Sequence, residues 1–160
     1  MNRWLAIAVA VVAADQASKV AADALLSFHD SIALLPVLSL TLGYNPGAAF
    51  SILGDAGGWQ RWFLSAIAVL VSGYLVHWLR QVGNTAPLLS LGLALVLGGA
   101  VGNLIDRLRL GYVIDFIHLH YRDFHWPVFN VADIAITVGV GLVLLTLFRA
   151  PPAPEEGGGK

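Results

Sequence analysis

Residues Val113 to Asp133 have the sequence V-I-D-F-I-H-L-H-Y-R-D-F-H-W-P-V-F-N-V-A-D, and they run into an apolar segment, Val128 to Phe148, long enough to cross a bilayer. Asp133 is the one charged residue of that segment. A carboxylate deep in a membrane span costs about 2.5 to 3.5 kcal/mol even on permissive insertion scales. The sequence therefore predicts that another group compensates for Asp133.

A second acidic residue, Asp115, lies eighteen positions earlier between apolar neighbours. We expect Asp115 and Asp133 to meet, because two carboxyl groups in a poorly solvated site cannot both ionise easily and so share a proton. That pairing is the chemistry of a water-activating aspartic peptidase. The spacing leaves an alternative open, in which Asp133 pairs with Arg107 in a purely structural role.

The composition indicates an integral membrane protein. The chain has 160 residues, of which 58% are hydrophobic and 12% charged, and its mean hydropathy is +0.75. An average soluble domain is about 25% charged. The net charge of -1 offers no basic surface for nucleic acid. The absence of cysteine excludes thiol catalysis, disulfides and cysteine-ligated metals.

Four apolar segments reach the roughly 20 residues that a transmembrane helix needs: Trp4–Leu26, Trp59–Leu79, Pro87–Ile105 and Val128–Phe148. The first imitates a signal peptide, but D-Q-A-S-K follows its apolar core in place of a cleavage site, so we expect it to be uncleaved. An even number of spans puts both termini on one side. The distribution of Lys and Arg does not decide which side.

Two stretches between the spans have extended character. Leu38–Tyr44 alternates apolar and polar residues, and Gly111–His120 is also predicted to be extended, so the two strands can pair on one membrane face. We predict an all-α membrane protein of four transmembrane helices with a small extracytoplasmic β-sheet platform. Residues 1–150 form a single integral-membrane domain, and residues 151–160 form a flexible tail.

Two polar groups lie within or beside the predicted helices. Asp15 and Lys19, at i and i+4, form either a self-neutralising pair or the wall of a wet site. Asn103, Asp106 and Arg107 share one helix face, and they form either an Asp–Arg cap or a network that supports an active site. We favour the network, since Asn103 lies a turn deeper than the span end.

Two asparagines are further candidates. Asn45 opens N-P-G-A-A-F-S, which favours a turn, although its amide can also hold a substrate backbone. Asn130 shares a helix face with Asp133. Pro127 suits a first helical turn. A helix starting near Val128 places Asp133 about 7 to 8 Å inside the membrane.

His118, His120 and His125, with Asp123, invite a metal-binding hypothesis. The sequence contains no H-E-x-x-H. We expect interfacial histidines and no metal. The serines of the spans lack the G-x-S-x-G context of a serine hydrolase.

Five motifs occur in order: D-Q-A-S-K from Asp15, N-P-G-A-A-F-S from Asn45, G-G-A-V-G-N-L-I-D-R from Gly98, G-Y-V-I-D-F from Gly111 and W-P-V-F-N-V-A-D from Trp126. Together they resemble bacterial lipoprotein signal peptidase, also called signal peptidase II. The resemblance implies an aspartic endopeptidase of the bacterial inner membrane that needs no cofactor. Its substrates are diacylglyceryl-modified prolipoproteins, cut just before the lipidated cysteine.

The resemblance also implies roles for single residues. Asp115 and Asp133 match the catalytic pair. The positions that match substrate-binding or supporting residues are Asp15, Lys19, Asn45, Asn103, Asp106, Arg107 and Asn130. Both termini are expected in the cytoplasm, with the active site near the outer leaflet and a mobile loop over it. We expect a monomer in contact with membrane lipid.

Two other classes of function fit intramembrane charges. A proton-coupled carrier also places Asp, Lys and Arg within its spans, although four spans without a repeat count against it. A non-catalytic membrane assembly factor is the third class. The peptidase hypothesis predicts a bell-shaped pH profile, because the pair needs one proton.

Overall fold

The computed structural model describes residues 2–28, 30–47 and 58–149. Its helices and strands, in chain order, are α1 (Asn2–Leu25), β1 (Ser31–Leu35), β2 (Leu38–Asn45), α2 (Trp59–Val82), α3 (Pro87–Arg109), β3 (Val113–Tyr121), β4 (Phe124–His125) and α4 (Val131–Arg149). The predicted tail and the end of the motif that begins at Asn45 lie outside the described residues.

The four helices are the four predicted spans, and each is long and apolar enough to cross a membrane. α2 and α3 continue to Val82 and Arg109, beyond the predicted ends, because helical hydrogen bonding persists through their polar last turns. α3 lies at the centre and packs against the other three helices. The outer faces of the bundle expose large apolar side chains, as surfaces facing lipid do.

Glycines allow the central helix to approach its neighbours closely. A Cβ added to Gly92 would lie 2.8 Å from the carbonyl oxygen of Gly139 on α4. A Cβ added to Gly98 would lie 2.8 Å from the carbonyl oxygen of Ala8 on α1, and one on Gly102 would lie 2.5 Å from Asp15 Oδ2. Gly98 and Gly102, four residues apart on one face of α3, thus let this helix approach α1 closely.

The strands form one antiparallel sheet in the order β1-β2-β3-β4. The predicted pairing of β2 with β3 is confirmed, and its register places Gly43 opposite Asp115 and Asn45 opposite Val113. β3 also contacts α1 and α3. The sheet thus holds the start of β3 against the helix bundle.

The predicted start of α4 was wrong. Trp126 N donates to Leu119 O and Phe129 N donates to Ile117 O, so the residues around Pro127 extend along β3 and the helix begins only at Val131. An apolar run that follows a proline fits an extended strand as well as the first turn of a helix. Asp133 consequently lies in the first turn of α4, about 3 Å beyond its start, where the helix dipole favours a negative charge.

The apolar core lies at the end of the helix bundle where α1 begins. Trp4, near the start of α1, packs with Leu75, Leu79 and Leu93 of α2 and α3. Its indole Nε1 donates to Gly83 O at 2.9 Å, in the turn that joins α2 to α3. The sheet and the polar residues therefore lie at the opposite end from the start of α1.

Candidate active site

A cavity of about 510 Å³ opens between the sheet and the adjacent ends of α3 and α4. Asp115 and Asp133 both line it, which confirms that the fold brings the two predicted carboxyl groups to one site. Asn45, Asn103 and Arg107 line the same cavity. Its size lies in the range of about 300 to 1,000 Å³ typical of ligand pockets.

Asp115 is held by two amide groups. Its Oδ1 accepts a hydrogen bond from Asn130 Nδ2 at 2.7 Å, and its Oδ2 accepts one from Asn45 Nδ2 at 3.2 Å. Burial, followed by the charge of Asp133, raises the pKa of Asp115 to about 7, although the two amides and Lys19 act in the opposite direction. Asp115 therefore keeps a substantial share of its proton near neutral pH.

Asp133 is held from both sides in the first turn of α4. Its Oδ1 accepts from Asn103 Nδ2 at 2.9 Å, and its Oδ2 accepts from the backbone N–H of Asn130 at 3.2 Å. No ion pair joins Arg107 to Asp133, although the structure describes both residues. The alternative that Asp133 pairs with Arg107 for structure alone is therefore wrong.

Asn130 connects the two carboxyl groups and is fully buried. The side-chain amide of Asn130 donates to Asp115. Asn130 Oδ1 accepts from the backbone N–H of Asp133 at 3.0 Å, and Asp133 Oδ2 accepts from the backbone N–H of Asn130. This reciprocal pair is a capping box, in which the residue before a helix and the third helical residue satisfy each other's backbone donors. The cap of α4 thereby fixes the relation between Asp115 and Asp133.

A buried ion cluster lies behind the cavity. Lys19 Nζ is 2.9 Å from Asp15 Oδ2 and 2.8 Å from Asp106 Oδ2. The side chains of Lys19 and Asp15 are 1% and 0% exposed. Of the two alternatives for Asp15 and Lys19, the structure shows the ion pair, and Asp106 joins it. Asp106 pairs with Lys19 from α1, so the alternative of a simple Asp–Arg cap was wrong.

The cluster reaches both elements that carry the cavity carboxyl groups. Asp15 Oδ1 accepts from the backbone N–H of Ala132 at 3.0 Å, in the first turn of α4. Asp106 Oδ2 accepts from the backbone N–H of Ile114 at 3.3 Å, one residue before Asp115. Lys19 Nζ also donates to Asn103 Oδ1 at 2.8 Å, which turns the Nδ2 of that amide toward Asp133.

Arg107 faces the cavity from α3. Its two terminal nitrogens donate to Asn103 O and Gly47 O, both at 3.3 Å. Its Nε has no hydrogen-bond partner within residues 2–28, 30–47 and 58–149. The side chain therefore keeps donor capacity beside Asp115 and Asp133.

All nine predicted site residues belong to one connected set of contacts. The turn predicted at Asn45 is also confirmed, since its Oδ1 accepts from the backbone N–H of Gly47 at 3.1 Å. Sequence reasoning missed Gln16, which joins this set, and Tyr44, which lines the cavity. Gln16 Nε2 donates to Asp106 Oδ1 at 2.8 Å, and Tyr44, which lines the cavity, donates to Asp23 Oδ1 at 2.7 Å.

Only Gln16 carried a signal, since it lies inside the motif that begins at Asp15. Tyr44 ends an alternating strand and has no such context. The hydrogen bond to Asp23, with burial and the charge of Asp23, raises the pKa of Tyr44 to about 12, so its hydroxyl remains a donor.

The histidines lie elsewhere on the sheet. His118, His120 and His125 do not line the cavity that contains Asp115 and Asp133. In the part of the chain that the structure describes, no set of three His, Cys, Asp or Glu side chains is arranged to hold a metal ion.

Comparison with known proteins places these features in a family context. The model of the family described as signal peptidase (SPase) II matches residues 7–149. The lipoprotein signal peptidase of Pseudoalteromonas translucida is 52% identical over 153 residues, covering 96% of this chain and 92% of that protein. The one from Pseudomonas syringae pv. tomato is 49% identical over 154 residues, covering 95% and 89%.

Two solved structures share the fold. A bacterial membrane enzyme solved by the in meso method at 2.3 Å resolution superposes with a TM-score of 0.84 and 30% identity, covering 100% of this chain and 96% of that chain. A second, at 1.9 Å, gives a TM-score of 0.80 and 30% identity over 94% and 96%.

Proposed function

We propose a mechanism from one premise, which is that this chain belongs to the signal peptidase II family. As a lipoprotein signal peptidase it is a membrane protease that removes signal peptides from prolipoproteins. The finer proposal is that its substrates carry diacylglycerol and are cut just before the lipidated cysteine, as the family resemblance implies.

Asp115 and Asp133 are the proposed catalytic residues. The observation that carries this assignment is that two carboxyl groups, one of them almost wholly buried on β3, line one cavity and are joined through Asn130. The pKa of Asp115, about 7, supports a pair that retains one proton near neutral pH. The two groups titrate together, so neither is assigned a fixed role.

The proposed reaction begins with water. The unprotonated carboxylate removes a proton as the water oxygen bonds to the scissile carbonyl carbon, and the protonated carboxyl donates to the carbonyl oxygen. The C–N bond then breaks as the nitrogen takes a proton from one carboxyl while a hydroxyl of the intermediate returns one to the other. The pair ends with the single proton it held at the start.

Asn45 and Arg107 are proposed to hold the substrate backbone. A signal peptide in a membrane is helical and must unwind to expose an amide, and its freed polar groups then need partners. Asn45 lines the cavity on the sheet side and Arg107 on the side of α3. The Nε of Arg107, which has no hydrogen-bond partner among the described residues, supports this role.

The remaining site residues are proposed to position the catalytic pair. Lys19, Asp15 and Asp106 anchor the backbones of β3 and α4, and Asn103 and Asn130 orient the carboxyl groups. We propose that the enzyme acts as a monomer. We also propose that both termini are cytoplasmic and that the cavity lies near the outer leaflet.

The test is cleavage of a purified lipidated proform by detergent-solubilised wild type, Asp115→Asn and Asp133→Asn. Asp30→Asn, at an exposed position outside the cavity, is the matched control. We expect both cavity variants to lose cleavage while remaining folded and inserted, and the control to retain it. Full cleavage by either cavity variant would refute the dyad. Loss of ion transport with cleavage intact would favour the carrier hypothesis.

A further inference from the structure

Three imidazole rings form a cluster on the sheet, apart from the cavity. His118 and His120 are two residues apart on β3 and so share one face of the strand. His125 on β4 is the register partner of His120. The ring centroids lie 5.5, 5.1 and 5.8 Å apart for the pairs His118–His120, His118–His125 and His120–His125.

Two of the ring nitrogens are close enough to bind one ion. His125 Nδ1 lies 3.2 Å from His118 Nε2. Two nitrogens that each lie about 2.0 to 2.1 Å from a tetrahedral zinc ion are about 3.3 to 3.4 Å apart. The separation of these nitrogens therefore matches that of two ligands of one zinc ion, once the imidazole rings turn so that both lone pairs point to it.

The surroundings of the pair suit a neutral ligand. Thr41 Oγ1 lies 3.5 Å from His118 Nδ1, where it can accept a hydrogen bond and leave Nε2 free for a metal. The nearest charged residues along the hairpin are Arg122, which lies over the Tyr121 ring, and Asp123.

His120 does not complete a three-ligand site. Its Nε2 shares a hydrogen bond with Ser39 Oγ at 2.9 Å on β2, so this nitrogen is already engaged. No three-ligand set is present among the described residues. The cluster thus offers two convergent imidazoles, and water must supply the other ligands.

We propose that His118 and His125 chelate one divalent transition-metal ion of the zinc class and so bind β4 to β3. Imidazole nitrogen suits zinc, copper and nickel, whereas magnesium prefers oxygen ligands. A site with two exposed or half-buried protein ligands binds reversibly. The proposal does not depend on the peptidase mechanism.

The test is isothermal titration of zinc chloride into the full chain, in detergent and without a polyhistidine tag. Wild type is compared with His118→Gln and His125→Gln, and His77→Gln on α2 is the matched control. We expect one zinc per chain in wild type and control, and at least tenfold weaker binding in both cluster variants. Unchanged affinity in either cluster variant would overturn the assignment.

A second measurement guards against variants that fail to fold. In the wild type, zinc should raise the thermal midpoint at pH 7.5, because a metal that binds only the folded chain stabilises it. Magnesium should have no effect. The absence of a zinc response, or an equal response to magnesium, would overturn the proposal.

Discussion

Replacing Lys19 with Met tests whether the buried ion cluster supports the site. The substitution keeps most of the side-chain volume but removes the cation 2.9 Å from Asp15 and 2.8 Å from Asp106. Removing one partner of a buried ion pair typically costs about 3 to 5 kcal/mol, because the remaining charge is left without compensation. We therefore expect Lys19→Met to lower the free energy of unfolding by about that amount.

Activity should fall for a separate reason. Lys19 Nζ and Asn130 Nδ2 both donate to the oxygen of the Asn103 amide, at 2.8 and 3.1 Å, so the loss of Lys19 weakens the contacts that turn Asn103 Nδ2 toward Asp133. The double variant Lys19→Met with Asp106→Asn removes one uncompensated charge while leaving an oxygen for the Ile114 N–H. We expect the double variant to recover more than half of the lost stability without recovering full cleavage.

The assays are denaturant-induced unfolding in detergent micelles and cleavage of the lipidated proform. Arg109→Met, which removes an exposed cation from the last turn of α3, is the control and should change stability by less than about 0.5 kcal/mol. A cost below about 1 kcal/mol for Lys19→Met would match an exposed ion pair and refute the reasoning.

Three further predictions follow from the site. The pKa of Asp115 is about 7 in the folded chain and lower in the unfolded chain, so the stability of the wild type should fall as pH rises from 4 to 7. Asp115→Asn should flatten this dependence in thermal unfolding measured across that pH range. An unchanged slope in the variant would contradict the role of Asp115. Asn130→Ala should lose about 1 kcal/mol with its helix cap and nearly all cleavage; retained cleavage would show that the link between the carboxyl groups is dispensable. Gly102→Ala should lose about 1 to 3 kcal/mol, since its Cβ would meet Asp15, whereas Gly73→Ala, with open space, should lose nothing in the same unfolding assay; equal effects would refute the packing argument.

The sequence predicted the parts of the fold that depend on local pattern. Apolar length identified the four helices, and the alternation of Leu38–Tyr44 identified β2. The start of α4 was not predictable in the same way, because Pro127 and the apolar residues after it suit a helix start as well as an edge strand. Only the backbone hydrogen bonds to β3 decide between them.

The site was predicted less completely, because contacts distant in sequence have no local signature. Asp106 is adjacent to Arg107 in the sequence, which favoured an ion pair between these two residues. The ion-pair partner of Asp106 is instead Lys19, on another helix. The cap at Asn130 was visible as N-V-A-D, but the i, i+3 spacing also fits two residues on one helix face.

A buried ion cluster is a weak source of stability, since desolvation offsets much of the attraction between its charges. Its value here lies in geometry. The two proposed catalytic groups sit on unlike elements, Asp115 on a strand and Asp133 on a helix, and such elements can slide or rotate against each other without losing apolar contact. Asp15 fixes the first turn of the helix and Asp106 fixes the strand beside Asp115, while one ammonium group holds both carboxylates. Apolar side chains of equal volume could stabilise the bundle but could not specify that register, so the cluster is better explained by alignment of the catalytic pair than by stability.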